Sequence, residues 1–317
     1  MTFEPFEAFS DVEDLAGKLR DPDPSVRRVA VMELADTADP EAVALVGGAL
    51  KDGSAEVRLQ AAIALGEFDG AETAACLVVG LVDDDPRVAR AAADSLAELK
   101  DPVAADPVFP LVEHERPFVR AAALRALKEL RRRESLAHGL RALDDPDAHV
   151  RIEAIGVIGY LKAEEALPAL IASGKDEVPE VRRTAVGALA FARSSHAGEA
   201  LMRALDDEDW SVREVAAEML GKTGVTRAVA PLMARMDDRD WQVRVKVVRS
   251  LGQLHAVEAV PLIAAALGEE VSNLRKEAAA ALGEIAHPSS RPYLERYADD
   301  PDPDVRKNVR WALGRIG

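Results

Sequence analysis

The sequence predicts an all-α fold, a solenoid of ten 31-residue helical hairpins forming a curved superhelix. Three observations carry this reading. First, a Val-Arg step recurs at Val26-Arg27, Val57-Arg58, Val119-Arg120, Val150-Arg151, Val181-Arg182, Val212-Arg213, Val243-Arg244 and Val305-Arg306, with Val88-Ala89 and Leu274-Arg275 in the two remaining slots. Each anchor lies 31 residues after the last, with no insertion, and a fixed period of this size marks a repeat architecture. Second, apolar residues follow each anchor at helical rather than strand spacing. Third, the chain is 48% hydrophobic but only 4% aromatic, so Ala, Leu, Val and Ile must build the core, which suits close helix-on-helix packing. The length of 317 residues alone suggests about two domains; the unbroken period instead assigns residues 11–317 to one repeat domain.

Within the hairpin, helix A is marked by Leu15/Leu19, Val46/Leu50, Leu77/Leu81, Leu201/Leu205, Leu232/Met236 and Ile263/Leu267. An acidic turn follows. Asp23, Asp85, Asp147, Asp209, Asp240 and Asp302 each stand three residues before an anchor, where a side chain caps the first amides of helix B and suits its dipole. Helix B then carries the anchor, Ala at +4 (Val at 247 and 309) and Leu or Ile at +8, the spacing of one helical face. Gly66, Gly159, Gly221, Gly252, Gly283 and Gly314 follow the +8 residue and are expected to end the helix. The Arg after the anchor, present in nine of ten hairpins, is placed to reach a turn Asp of its own or the next hairpin, so that an Asp–Arg ladder runs along one edge.

Two stretches depart from the unit. Phe3, Phe6 and Phe9 precede Ser10-Asp11-Val12-Glu13, a capping box; residues 1–10 are expected to form an N-terminal apolar cap, a partner-binding arm being the alternative. In the fourth hairpin Pro107 and Pro110 should shorten or break helix A, and Arg131-Arg132-Arg133 follows; either a local change of curvature or a partner-contacting loop fits.

The stretches DPDPSVRRVAVMELAD, DDPDAHVRIEAIGVIGYL, DEDWSVREVAAEMLGKTG and PDPDVRKNVRWALGRIG resemble HEAT-like repeats of the phycocyanobilin-lyase type, and the resemblance covers residues 11–317. It implies that helix B lines the inner, concave side, so that positions about +2, +3, +6 and +10 face a partner. Along these positions come Met32, Leu59 and Ile63 with Asp36 and Glu67, then Ile152, Tyr160 and Phe191, then Lys246, Arg249, Lys276 and Lys307 opposed by Glu214, Glu218 and Glu277. A mixed surface with an aromatic centre suits protein binding; closure of seams between hairpins is the alternative for Tyr160 and Phe191. Trp210 and Trp241 fill one slot, two before the anchor, in adjacent hairpins, where other hairpins carry Pro24, Pro86, Ala148 or Ser272. They are either a partner hot spot or local packing.

Chemistry finds little support. A deoxyhypusine-hydroxylase-like di-iron site needs His-Glu pairs just inside helix B, and positions +2 and +3 hold no His in any hairpin. The six histidines share no register, Cys76 is the single cysteine, and no metal or other cofactor is expected. A bilin-lyase-like or chromophore-handling enzyme or chaperone is the alternative that the resemblance keeps open. A HEAT-like DNA glycosylase is disfavoured, because the formal net charge is −16 and such a field repels phosphate backbones. With no export signal or apolar run of membrane-spanning length, a cytoplasmic location is expected. The reading is a monomeric, non-catalytic scaffold, assembly factor or adaptor whose partner is another protein, contacted through Trp210, Trp241, Ile152, Tyr160, Phe191, Lys246, Arg249 and Lys276.

Overall fold

The structure, a computed structural model, describes residues 12–192 and 194–316; the cap expected at residues 1–10 lies outside them. Among the described residues every regular element is a helix and no strand occurs. The chain falls into two compact bodies, residues 1–161 and 162–317, with five anchors in each.

The first body pairs α1 (Val12–Lys18) with α2 (Pro24–Asp36), α3 (Ala42–Ala49) with α4 (Ala55–Ala64), and α5 (Ala71–Leu81) with α6 (Pro86–Glu98). Its fourth helix A is replaced by two 3₁₀ turns, Pro102–Ala105 and Phe109–Glu113, before α7 (Pro117–Leu130), as Pro107 and Pro110 lead one to expect. The hairpin α8 (Ser135–Ala142) and α9 (Ala148–Leu161) completes it. The second body holds α10 (Leu167–Ser173) and α11 (Pro179–Ala188), α12 (Ser195–Ala204) and α13 (Trp210–Thr223), α14 (Val229–Met233) and α15 (Trp241–Gln253), α16 (Val260–Ala265) and α17 (Ser272–Ile285), and α18 (Arg291–Glu295) and α19 (Pro303–Ile316). Successive B helices lie against one another: α2 on α4 on α6, α7 on α9, and α11 on α13 on α15 on α17 on α19.

The helical face read from the sequence is the core. All ten +4 residues are fully buried, and the anchors and +8 residues are buried to within 1% except Val26 and Leu313, in the first and last hairpins. Each of these two lacks a B-helix neighbour on one side among the described residues.

The turn Asp residues cap helix B in five of the six positions. Asp23, Asp85 and Asp209 each accept the amide two residues on at 2.8 Å, and Asp147 and Asp302 accept two amides each. Asp240 departs. It caps nothing, because Arg213 Nη2 at 2.7 Å and Arg239 Nε at 3.2 Å engage its carboxylate.

The glycines correct the expectation. Gly159, Gly221, Gly252, Gly283 and Gly314 lie inside α9, α13, α15, α17 and α19, not after them. Three of them, Gly221, Gly252 and Gly283, serve close approach. A Cβ on Gly221 would stand 2.8 Å from Ser250 Cα, and one on Gly252 would stand 2.8 Å from Ala281 Cα. Beside these contacts Ser95 and Ser250 donate to the carbonyls of Ala62 and Ala217 in the preceding hairpin at 2.9 and 2.7 Å. The left-handed residue that terminates helix B comes at +12, at Ala38, Arg131, Lys162, Gly224, His255 and Ala286. Only one of these is Gly, so the composition at that position gives no sign of the turn.

The ladder forms, with a different acid from the cap. Arg27, Arg58, Arg120, Arg182, Arg213 and Arg275 each grip the Asp 25 residues on, at Asp52, Asp83, Asp145, Asp207, Asp238 and Asp300, through Nε at 2.6–2.8 Å and Nη2 at 2.7–3.1 Å. The third guanidinium nitrogen binds carbonyls of the Arg's own turn, as Arg213 Nη1 does with Asp207 and Glu208 at 2.9 and 3.1 Å. One planar fork therefore ties two hairpins, a task for which Arg geometry is suited and Lys is not. The third hairpin has Ala89 in the Arg slot, and Arg116 of the next hairpin reaches back to the carbonyls of Val82 and Asp83 at 3.0 and 3.3 Å. His114, in the acceptor slot facing Ala89, takes the Arg116 amide on Nδ1 at 3.1 Å.

Candidate functional site

The residues singled out by sequence occupy three settings. Trp210 and Trp241 are the first residues of α13 and α15, 40% and 38% exposed. Proline favours this first helical position and five other helices B begin with it, at Pro24, Pro86, Pro117, Pro179 and Pro303; the helix start does not ask for an indole. Arg239 joins the two turns, donating to the Glu208 carbonyl at 3.3 Å and to Asp240. The edge thus carries two open rings among fixed acids.

Ile152 and Tyr160 lie on α9 in the first body, and Phe191 ends a 3₁₀ turn after α11 in the second. Ile152 and Phe191 are half-buried, whereas Tyr160 is 39% exposed with the Arg131 guanidinium 5.0 Å from its ring centre. The stacked cation leaves one flank of Tyr160 in use within the body.

The late cations are engaged. Lys246 binds Glu218 at 2.7 Å, Arg249 grips Glu277 with two bonds of 2.8 and 2.7 Å, and Lys276 lies 3.8 Å from Asp304. Glu218 also receives Lys222, and these two lysine bonds outweigh burial, holding its carboxyl at about 2. Glu284 goes the other way, pushed up by burial and then by the charge of Glu277. This part of the helix-B face in the second body is largely self-neutralised.

Sequence reasoning passed over two features. Trp311, at +6 of the last hairpin, is 46% exposed, with Arg315 5.8 Å above its ring; Gly283 leaves the space that the ring edge fills. In the first body, an open trough of about 770 Å³ lies between α4 and α6, lined by Ile63, Glu67, Arg90, Ala91, Asp94 and Glu98 among others. Ile63 and Glu67 were legible from their slots. The trough was not, because its depth comes from Gly66, Ala91 and Ser95 lying small on both sides of one seam.

Among the described residues no group of three or more His, Cys, Asp or Glu is placed to hold a metal ion, and no helix is long and apolar enough to cross a membrane.

The family profile described as HEAT repeats matches residues 12–90, 77–138, 136–221, 198–281 and 260–317. No curated protein matches the chain in sequence. Among solved structures, an engineered protein is 21% identical with a TM-score of 0.51, over 96% of this chain and 98% of its own. Kap95, solved in complex with Nup1, is 14% identical with a TM-score of 0.66; the match spans 96% of this chain and half of Kap95. YibA of E. coli is 16% identical with a TM-score of 0.62, over 84% of this chain and 98% of its own. At these identities the likeness is one of fold.

Proposed function

The chain belongs to the HEAT-repeat family, and from that premise we propose that it is a non-catalytic scaffold or adaptor of the cytoplasm that binds another protein through its helix-B face and its Trp edge. The observation that carries the reading is the pair of tryptophans, each about two-fifths exposed, in one slot of neighbouring hairpins. Exposed rings held on rigid helix starts are what interface hot spots require: large apolar area, little side-chain entropy to lose, and a polar rim. Solenoids offer such positions in register along an extended surface.

The test is quantitative recovery of partners from source cells by the tagged protein, compared with Trp210→Ala/Trp241→Ala. Both positions are at the surface, so the variant should keep its helical content and melting temperature while recovery of the partner falls at least tenfold, as loss of two hot-spot rings requires. Equal recovery by the two proteins would remove the edge from the interface.

A further inference from the structure

The helix-B face of the first body is laid out in three rows, the outer two crossing the first three hairpins and the middle one the first two. Position +2 holds Arg28, Leu59 and Arg90; position +6 holds Met32 and Ile63, with Val29 one turn before Met32; position +10 holds Asp36, Glu67 and Glu98. Val29 and Met32 are 44% exposed and Ile63 is 51% exposed. Arg28, Arg90, Asp36, Glu67 and Glu98 are all exposed, and none has an ion pair or side-chain hydrogen bond among the described residues. A basic edge, an apolar middle and an acidic edge therefore run side by side, and the trough between α4 and α6 includes all three kinds of residue.

The fold does not ask for this arrangement. Asp36 and Glu98 are the last residues of α2 and α6, where a negative charge meets the negative end of the helix dipole and costs stability. A residue kept against local preference points to a role outside the fold.

The dimensions select the occupant. Positions +2 and +10 are eight residues apart, a rise of about 12 Å, and an α-helix with its side chains is about 10–12 Å across. Neighbouring B helices stand about 8–10 Å apart, and one heptad of an α-helix rises about 10.5 Å. A helix laid across the B helices thus presents the same heptad position to each hairpin in turn. At the far end the middle row closes, because Asp94 and Arg125, the +6 residues of the third and fourth hairpins, pair at 3.1 Å.

We propose that this face of the first three hairpins, with the trough at its α4–α6 seam, receives an amphipathic α-helix of a partner protein, about two to three heptads long. Its apolar seam rests on Val29, Met32 and Ile63, its basic flank faces Asp36, Glu67 and Glu98, and its acidic flank faces Arg28 and Arg90. The proposal rests on the helix-B face being a protein-binding surface and narrows that reading to one class of partner element.

The probe is a fluorescein-labelled peptide of about three heptads with Leu along the seam, equal numbers of Lys on one flank and Glu on the other, and Ala elsewhere. Being neutral, it is not drawn in by the net charge of −16. Anisotropy with the full chain should show saturable binding. Asp36→Lys/Glu67→Lys/Glu98→Lys should weaken it at least tenfold and should strengthen binding of a companion peptide with Glu on both flanks, since like charges face each other in one case and opposite charges in the other. A control with the same charge change at exposed acids outside the rows, Glu72→Lys/Asp84→Lys/Asp144→Lys, should leave the neutral probe within about twofold. The proposal is overturned by no binding of the neutral probe, by equal loss in the control, or by no gain for the Glu-flanked peptide. A dimer in sedimentation equilibrium that Ile63→Asp dissolves would assign the trough to a second copy instead and would also overturn it. If the natural partner is lost with the Trp variant but kept with the row reversal, the trough proposal fails while the scaffold reading stands.

Discussion

One rung of the ladder is only half made, and a substitution that shortens a side chain should complete it. Arg244 finds Glu269 where the six regular rungs have Asp. The extra methylene lets Oε2 meet Nη2 only at 3.4 Å, and Nε is left buried without an acceptor. A buried charged N–H without a partner costs about 1–3 kcal/mol. In the neighbouring turns the same carboxylate also accepts an amide two residues on, from Asp240 to Asp238 at 3.0 Å and from Asp302 to Asp300 at 2.8 Å; the Val271 amide occupies that position here. Glu269→Asp should therefore stabilise the chain by about 1–2 kcal/mol although it removes packing volume. The reverse change at a complete and more buried rung, Asp238→Glu, should destabilise by about 1–3 kcal/mol, since Arg213 and Asp238 have side chains only 6% and 3% exposed. Urea unfolding by circular dichroism gives the sign. Hydrogen exchange on α15 and α17 locates the change, which matters because repeat arrays need not unfold in one step. If Glu269→Asp leaves stability unchanged or lowers it, two-point Arg–Asp closure is not what fastens adjacent hairpins.

Three further outcomes follow from the same geometry. Gly252→Ala should destabilise by about 1–3 kcal/mol, because its Cβ would stand 2.8 Å from Ala281 Cα, whereas Gly48→Ala in α3, with nothing within 4 Å, should stabilise by about 0.5–1 kcal/mol; thermal melts of the two variants must move in opposite directions. Asp52 and Asp300 are held below the usual carboxylate range chiefly by their Arg bonds, while burial raises Asp83, Asp145 and Asp238 but is outweighed by the Arg bond and the accepted amide. With folded values depressed, their stabilisation is present above about pH 4 and disappears as pH falls through the folded values, so the melting temperature should be flat from neutral pH to about 5 and drop steeply below about 4; a flat profile to pH 2.5 would contradict the ladder. Glu284, raised by burial and by Glu277, has the opposite sign: its contribution is lost as pH rises through its folded value, so Glu284→Gln should melt higher than the parent at pH 7–8 and approach it near pH 4.

The registers of core and solvent were legible from the sequence because each is a local consequence of helix geometry. Val57, Ala61 and Leu65 lie on one face whatever surrounds them, and a period of 31 without insertion fixes that face ten times over. The breaking of the fourth helix A by proline was legible for the same reason, being a matter of one residue's own backbone. The two tryptophans stood out as departures from a repeated slot, and each is about two-fifths exposed.

What only the tertiary structure decided depends on a neighbour. Gly221 and Gly252 look like helix stops in the chain, yet they are points of contact with Ser250 and Ala281, residues that no local rule connects to them. The ladder was foreseen, but its acceptor is the Asp two residues before the cap position of the next turn rather than the capping residue, because the reach of a guanidinium across two packed helices sets that choice. Lys246, Arg249 and Lys276 read as cations opposed by Glu214, Glu218 and Glu277, but only the packed helices show which pairs close: Lys246 on Glu218, Arg249 on Glu277, and Lys276 near Asp304. The sequence by itself determined the repeating unit, since hydrogen bonding and burial within a hairpin recur with its period; which charges remain unspent was decided between hairpins, where distances depend on how closely two helices can approach.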